Sequence, residues 1–229
     1  MSRRVCRLAC LFCLGAALAV LAPGAQGPRA QTAECITIAD FSKNRVGEFP
    51  ADWRVRKDEG KSVYAVREES GKRFLAAESH GLGIQAAKER EWDLAAYPVL
   101  AWSWRPRQFP RGGDERDSGT NDSVLAVYLL VPYSRVRGPK AVKYVWSEKV
   151  PVGTHLTSNM GLTQVRVQRS GPAGKGEWTE ERVNVREDYR KFFTESDTPK
   201  PGGIAVLTDS DDTKSAAAGD YANFRACRS

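Results

Sequence analysis

The sequence predicts an all-β protein, an antiparallel jelly-roll-type β-sandwich with one short helix. Short segments rich in Val, Ile, Tyr and Trp recur along the chain between clusters of Gly, Pro, Asn, Asp and Ser, a pattern typical of strands and turns. Only residues 187–195 show helical spacing, and one short helix cannot cover a parallel sheet. The chain has 229 residues, 41% of them apolar, which is enough for a large core.

The first 24 residues have the organisation of a secretory signal peptide. Three arginines precede an apolar run over residues 8–21, and small residues follow in Ala22-Pro23-Gly24. The apolar run is too short to span a membrane, and no later segment reaches that length, so no transmembrane segment is predicted. We therefore expect a signal peptide over 1–24, a flexible segment over 25–34 and one β-sandwich domain over 35–229.

Export is expected to place the protein in the periplasm or outside the cell, and Arg3-Arg4 resembles a twin-arginine signal. Removing the leader's three arginines lowers the net charge from +7 to +4. Charges of both signs alternate over 177–190, which is typical of a solvated face and not of a phosphate-binding stripe. No nucleic-acid partner is predicted, and the oligomeric state is open.

Two cysteines follow the leader, Cys35 and Cys227, one near each end of the chain. In an oxidising compartment such a pair indicates a disulfide. The bond would close a loop of 192 residues and, on the chain-entropy argument, stabilise the fold by up to about 5 kcal/mol. Two buried free thiols, or a redox or metal role, are the alternatives.

Ten strands are predicted from these patterns, and two short connections, 69–72 and 170–176, are interpreted as hairpins between neighbouring strands. The longest predicted loop is 105–123, and loops commonly carry function. The segment Gly81–Ala86 fits a dinucleotide-binding fingerprint but is interpreted as a turn, because its surroundings are not βαβ. The predicted strands are Cys35–Phe41, Val63–Arg67, Phe74–Ser79, Val99–Trp104, Val124–Val131, Val142–Trp146, Leu162–Arg169, Trp178–Val185, Ile204–Thr208 and Tyr221–Arg225.

Aromatic residues on two of these strands have two interpretations. Trp102 and Trp104 are two residues apart and must share a face, as must Tyr144 and Trp146. They form either the core of the sandwich or a platform on which sugar rings stack. In the second case, hydrogen bonds to the sugar hydroxyls would come from Arg105, Asp122 and Asp188.

Three aspartates, Asp209, Asp211 and Asp212, follow the apolar strand that begins at Ile204. Carboxylates at such spacing either bind a hard cation such as calcium or cap the backbone amides of a turn. Lys214 occupies the position at which an EF-hand needs glycine, so an EF-hand is excluded. Calcium is the one candidate cofactor, and no other cofactor is predicted.

Enzyme chemistry has little support in the sequence. The chain contains only two histidines and no Gly-x-Ser-x-Gly, which argues against a serine triad and a zinc site. Paired carboxylates of the kind used by glycosidases are compatible with the many acidic residues, but no spacing singles out a pair.

Several short motifs follow one another along the chain: Phe49–Trp53, Pro98–Arg105, Tyr144–Trp146, Trp178 with Asp188–Arg190, and Gly203–Asp211. Their order resembles that of a family of secreted bacterial proteins known as domain of unknown function 3047. This resemblance spans nearly the whole chain after the leader and implies a β-sandwich similar to carbohydrate-binding jelly rolls, an exported location and no established activity. Asn223 stands where relatives tend to carry an acid.

These observations favour a non-enzymatic exported binding module, with a glycan or another cell-envelope component as its ligand. The alternatives are a carboxylate-based carbohydrate-active enzyme and a structural envelope protein without a small ligand. An open groove lined by tryptophans would favour binding, and two carboxylates facing each other across that groove would favour hydrolysis. A fully buried set of tryptophans would favour neither.

Overall fold

The computed structural model describes residues 34–197 and 199–229. The predicted signal peptide and residues 25–33 lie outside them. All ten predicted strands overlap observed strands. The elements are β1 (Cys35–Ala39), β2 (Arg54–Val55), β3 (Tyr64–Glu69), β4 (Lys72–His80), β5 (Ala86–Glu89), β6 (Val99–Gln108), β7 (Leu125–Ser134), β8 (Gly138–Ser147), β9 (His155–Ser158), β10 (Thr163–Ser170), β11 (Thr179–Asn184), α1 (Val185–Phe193), β12 (Gly203–Leu207) and β13 (Ala216–Cys227), with two short 3-10 turns at Asp58–Val63 and Asn159–Gly161.

These strands form two sheets. The first has six strands in the order β11-β6-β13-β4-β3, with β1 also paired to β13. The second has seven strands in the order β2-β5-β12-β7-β8-β10-β9. Apolar side chains from the inner faces of both sheets pack into one core, which confirms the predicted all-β sandwich.

One ladder departs from the predicted antiparallel arrangement. The strands β8 and β10 pair in parallel, whereas every other paired ladder among the described residues is antiparallel. The cause is the position of β9, which takes the outer edge of the sheet. The following strand, β10, then enters between β8 and β9 and runs antiparallel to β9.

The two predicted hairpins have different outcomes. Ser70 and Gly71 form the tight connection between paired strands β3 and β4, and both have positive φ angles, of 50° and 74°. The segment 170–176 instead joins β10 of the seven-stranded sheet to β11 of the six-stranded sheet, so its interpretation as a hairpin is wrong. Its length allows it to cross the roughly 10 Å between stacked sheets.

The helix begins and ends two residues earlier than predicted. Asn184 caps it, because its side-chain oxygen accepts a hydrogen bond from the backbone amide of Glu187 at 3.1 Å. Its end is at Thr194, which adopts a left-handed conformation with φ 55°. Tyr189 is buried and Phe192 and Phe193 are half-buried against the core, as the helical spacing predicts.

The predicted disulfide between Cys35 and Cys227 is present. The two residues face each other across the β1–β13 ladder, which joins the first and last strands of the described chain. No helix among the described residues is long and apolar enough to cross a membrane.

Candidate functional site

The paired aromatic residues lie inside the sandwich. The ring centroids of Trp102 and Trp104 are 5.3 Å apart, and they pack across the core against Tyr144 at 5.6 Å and Trp146 at 5.7 Å. All four side chains are at most 2% exposed. Of the two interpretations of these residues, the structure therefore supports the sandwich core and not the sugar platform. The face that Trp102 shares with Trp104, and Tyr144 with Trp146, is the face that packs against the opposite sheet.

Most polar atoms of these rings have partners within the protein. The indole of Trp104 donates to Glu181 at 3.2 Å, and that of Trp146 donates to the carbonyl oxygen of Gly171 at 3.0 Å. Because these donors are already used in the interior, they are not available to a ligand.

Asp188, predicted to bind sugar hydroxyls, holds the helix against the seven-stranded sheet. It accepts a hydrogen bond of 2.9 Å from the phenol of Tyr144, and Arg166 donates to both of its carboxylate oxygens at 2.9 and 2.8 Å. Burial raises the pKa of Tyr144 well above its usual value, and the charge of Asp188 raises it further. Because Asp188 is buried and paired with Tyr144 and Arg166, this arrangement stabilises the fold.

An exposed tryptophan lies on the outer side of the six-stranded sheet. Trp178 is 38% exposed, whereas the other five tryptophans are at most 5% exposed. Its ring meets Phe74 edge to face at 5.5 Å, and the guanidinium of Arg105 lies 4.7 Å from its centroid. Arg105 also lies 5.4 Å from the ring of Phe74. We call these three residues the Trp178 cluster.

Charged side chains extend from this cluster across the sheet. Asp220, 1% exposed, accepts a hydrogen bond of 2.8 Å from Arg105 and lies 3.1 Å from Nε of Arg107. The outer ends of the same guanidinium groups bind Glu69 at 2.9 Å and Glu78 at 3.1 Å. Burial raises the pKa of Asp220, although both arginines oppose that shift. The result is an aromatic ring beside a row of hydrogen-bonding groups.

The sequence contained a signal for this surface. Side chains alternate between the two faces of a strand. Because Trp102 and Trp104 point into the core, the odd-numbered residues of β6 face outward, and these include Arg105 and Arg107. Arg105 was among the predicted ligand-binding residues, but Trp178 was not, because it lies alone, just before β11.

A second candidate lies at one end of the seven-stranded sheet. Asp122 precedes β7, and Asp209 and Asp211 follow β12; one carboxylate oxygen from each lies within 4.8 Å of the others. Asp122 also caps a turn, because it accepts hydrogen bonds from the backbone amides of Asp212 at 3.2 Å and Thr213 at 2.8 Å. We call Asp122, Asp209 and Asp211 the carboxylate cluster.

The carboxylate cluster differs from the predicted trio by one residue. Asp212 is not among the three clustered residues, and its carboxylate accepts a hydrogen bond of 2.8 Å from the side chain of Asn121. Asp122 takes its place, although the sequence had suggested it as a sugar ligand. Turn capping and cation binding are the two interpretations of Asp209, Asp211 and Asp212; the observed cap of this turn is instead Asp122, which also contributes an oxygen to the carboxylate cluster.

Electrostatics in the cluster are dominated by burial. Burial raises the pKa of Asp209 to about 8, with contributions from Asp211 and Asp122, while the buried ammonium of Lys143 opposes the shift. Lys143 lies 5.6 Å from the ring of Tyr128. Burial lowers the pKa of Lys143, but the nearby Tyr128 and Asp209 outweigh burial and leave it raised.

Comparison with known proteins decides the family. The family model described as protein of unknown function (DUF3047) matches residues 51–225. The chain belongs to this family. In this DUF3047 protein, the matched region contains both the Trp178 cluster and the carboxylate cluster, whereas Cys35 and Cys227 lie outside it. No functionally curated protein is detectably similar in sequence.

Several solved structures resemble the DUF3047 chain weakly. A family 28 carbohydrate-binding module specific for non-crystalline cellulose has 12% identity and a TM-score of 0.43, covering 84% of this chain and 94% of that one. The xyloglucanase domain of NopAA, a type three effector from Sinorhizobium fredii, in complex with cellobiose, has 9% identity and a TM-score of 0.36, covering 76% and 95%. A family 11 xylanase from Neocallimastix patriciarum has 12% identity and a TM-score of 0.27, covering 76% and 94%. At these scores the similarities carry no argument about ligands.

Proposed function

We propose that this protein is a non-enzymatic glycan-binding module that acts outside the cytoplasm, and that the glycan binds over the Trp178 cluster. The observation that carries the proposal is the exposed indole of Trp178 beside a row of charged groups on one face of a sheet. A flat aromatic ring packs against the apolar face of a sugar ring, while fixed polar groups bind its hydroxyls.

The charged groups next to Trp178 suit a neutral, hydroxyl-rich ligand. Arg105 and Arg107 are each paired with carboxylates, so the face has donors and acceptors side by side without a large excess of one sign. The pairs also hold the side chains in position, which reduces the entropy lost on binding.

The disulfide supports the extracytoplasmic part of the proposal, because disulfides persist in oxidising compartments. The signal peptide predicted over residues 1–24 would direct that export. Edman sequencing of the protein recovered from the periplasm or the culture medium would identify the cleavage site.

A glycan array, followed by titration of the best ligand, tests the proposal. Trp178→Ala is expected to weaken binding about tenfold or more, because a central aromatic contact is lost. Tyr133→Ala is the matched control: Tyr133 is also an exposed aromatic residue, 52% exposed, but lies on β7 of the other sheet. Binding that both variants retain in full would overturn the assignment of the ligand to Trp178.

The same protein samples distinguish a binding module from a carbohydrate-active enzyme and from a structural envelope protein. A carboxylate-based hydrolase would release reducing sugars from the bound polysaccharide, whereas a binding module would leave the polysaccharide intact. A structural envelope protein would bind no glycan on the array. Quenching of tryptophan fluorescence by the ligand is expected to fall in Trp178→Ala, because the other five indoles are buried.

A further inference from the structure

Asp209 in the carboxylate cluster has an unusual environment. Its side chain is only 6% exposed, and its Oδ1 atom is buried without a hydrogen-bond partner among the described residues. A buried carboxylate oxygen without a partner is costly, since burial removes its hydration and nothing replaces it. Some group that is not part of the polypeptide would relieve this cost.

Gly83 shows where the unpartnered oxygen points. A Cβ atom added to Gly83 would lie 2.6 Å from Oδ1 of Asp209 and also 2.6 Å from Oδ1 of Asp211. Both oxygens therefore converge on the same small volume beside the glycine. Because any larger residue would fill this volume, the glycine keeps the oxygens accessible to each other and to a small ligand.

We propose that the carboxylate cluster is a calcium site. All three donors are carboxylate oxygens, which a hard cation prefers. Calcium binds oxygen at about 2.4 Å, so two ligands of one ion lie at most about 4.8 Å apart. The oxygens of Asp122, Asp209 and Asp211 meet that limit.

Charge also favours a divalent cation. The three carboxylates would carry three negative charges when ionised, and the buried Lys143 offsets only one of them. Oδ1 of Asp122 accepts one hydrogen bond, from the backbone amide of Asp212, and so has a second lone pair for a metal, whereas its Oδ2 accepts from both the backbone amide and the hydroxyl of Thr213.

A calcium ion at this site would stabilise the fold rather than take part in a reaction. Asp122 belongs to the loop before β7 and the other two ligands to the loop after β12, and β7 and β12 are paired strands. A bound ion would join both loops and stabilise the folded state. The site lies on the seven-stranded sheet, so it is independent of the glycan surface proposed on the other sheet.

Two measurements on the protein stripped with chelator test the proposal. Isothermal titration with CaCl2, and separately with MgCl2, gives stoichiometry and affinity, and thermal melts with calcium or chelator give the change in Tm. Asp211→Asn removes one ligand charge of the cluster. Asp212→Asn is the matched control, because it removes the same charge from the same loop outside the cluster.

We expect one calcium per chain, a Tm that rises with calcium concentration, and weaker binding of magnesium. Asp211→Asn should weaken calcium binding about tenfold or more, whereas Asp212→Asn should change it about twofold or less. Gly83→Ala should also abolish the calcium response, since its methyl group enters the space between the two oxygens. Circular dichroism establishes that each variant is folded.

Several outcomes would overturn the site. If Asp209 is instead protonated and shares its proton with Asp211, the wild type will show neither heat of binding nor a shift in Tm with calcium. An equal loss in Asp211→Asn and Asp212→Asn would show that calcium responds only to the general charge of the loop. Tighter binding of magnesium than of calcium would rule out the proposed ion.

Discussion

Arg105 lies directly opposite Asp220 where β6 pairs with β13, and its Nε donates a hydrogen bond of 2.8 Å to the Asp220 carboxylate. The same guanidinium lies over the ring of Trp178. One arginine thus links the most buried carboxylate on this face of the sheet to the exposed indole. Trp178 therefore packs against one member of a cross-strand ion pair.

Asp220→Ala is expected to lower the free energy of unfolding by about 2 kcal/mol, because a charged hydrogen bond from Arg105 and an ion pair with Arg107 are lost from a buried position. Urea denaturation measures this change. Glu78→Ala removes a more exposed carboxylate from Arg107 and should cost about 0.5 kcal/mol. Equal losses in the two variants would contradict the role of burial.

Two tryptophans should respond very differently to truncation. Trp104→Ala is expected to lower the free energy of unfolding by about 3–5 kcal/mol, because it leaves a cavity between the sheets. Trp178→Ala should cost about 1 kcal/mol, the scale of its ring contact with Phe74. Thermal melts of both variants give the comparison, and a larger loss in Trp178→Ala would show that the assignment of core and surface is reversed.

The disulfide predicts sensitivity to reductant. Replacing Cys35 and Cys227 together by serine is expected to lower the free energy of unfolding by about 2–5 kcal/mol. Dithiothreitol should lower the Tm of the wild type and leave that of the double variant unchanged. If dithiothreitol shifted both proteins equally, the effect would not come from this bond.

Stability should fall in acid partly through Glu195. Its pKa is lowered by hydrogen bonding to Lys140, and Tyr189 adds a second hydrogen bond. A lowered carboxyl pKa contributes stability above the unfolded value near 4.5, and that stability is lost as the pH falls through the lower, folded value. Glu195→Gln should therefore be about 0.5 kcal/mol less stable than the wild type at pH 7, with the difference shrinking below pH 4. A difference that is constant from pH 7 to pH 3 would exclude this cause.

Sequence periodicity predicted the strands well where they are long. The strands β6, β7 and β8 have ten residues each, enough to display alternation and many apolar side chains. Three strands were missed, β2, β5 and β9, because they have two to four residues and few apolar side chains. A segment this short is not long enough to show the alternation of apolar and polar residues that identifies a strand.

Local sequence patterns predicted the residues of the candidate sites only in part. Alternation established that Trp102 and Trp104 share a face, but which face meets the other sheet depends on tertiary packing. Asp209 and Asp211 could be grouped because they are two residues apart in the sequence. Asp122 lies 87 residues before Asp209 and joins them only because β7 pairs with β12. Contacts of this kind are not encoded in local spacing.

The strand β13 pairs with β1, β4 and β6, so three separate parts of the six-stranded sheet depend on residues 216–227. A ribosome makes these residues after all of their partners. The sheet therefore closes only once synthesis has passed residue 227, and a chain truncated before residue 216 would leave β4 and β6 without their shared neighbour. Such unpaired edges invite aggregation, so premature termination even close to the C-terminus should yield insoluble protein.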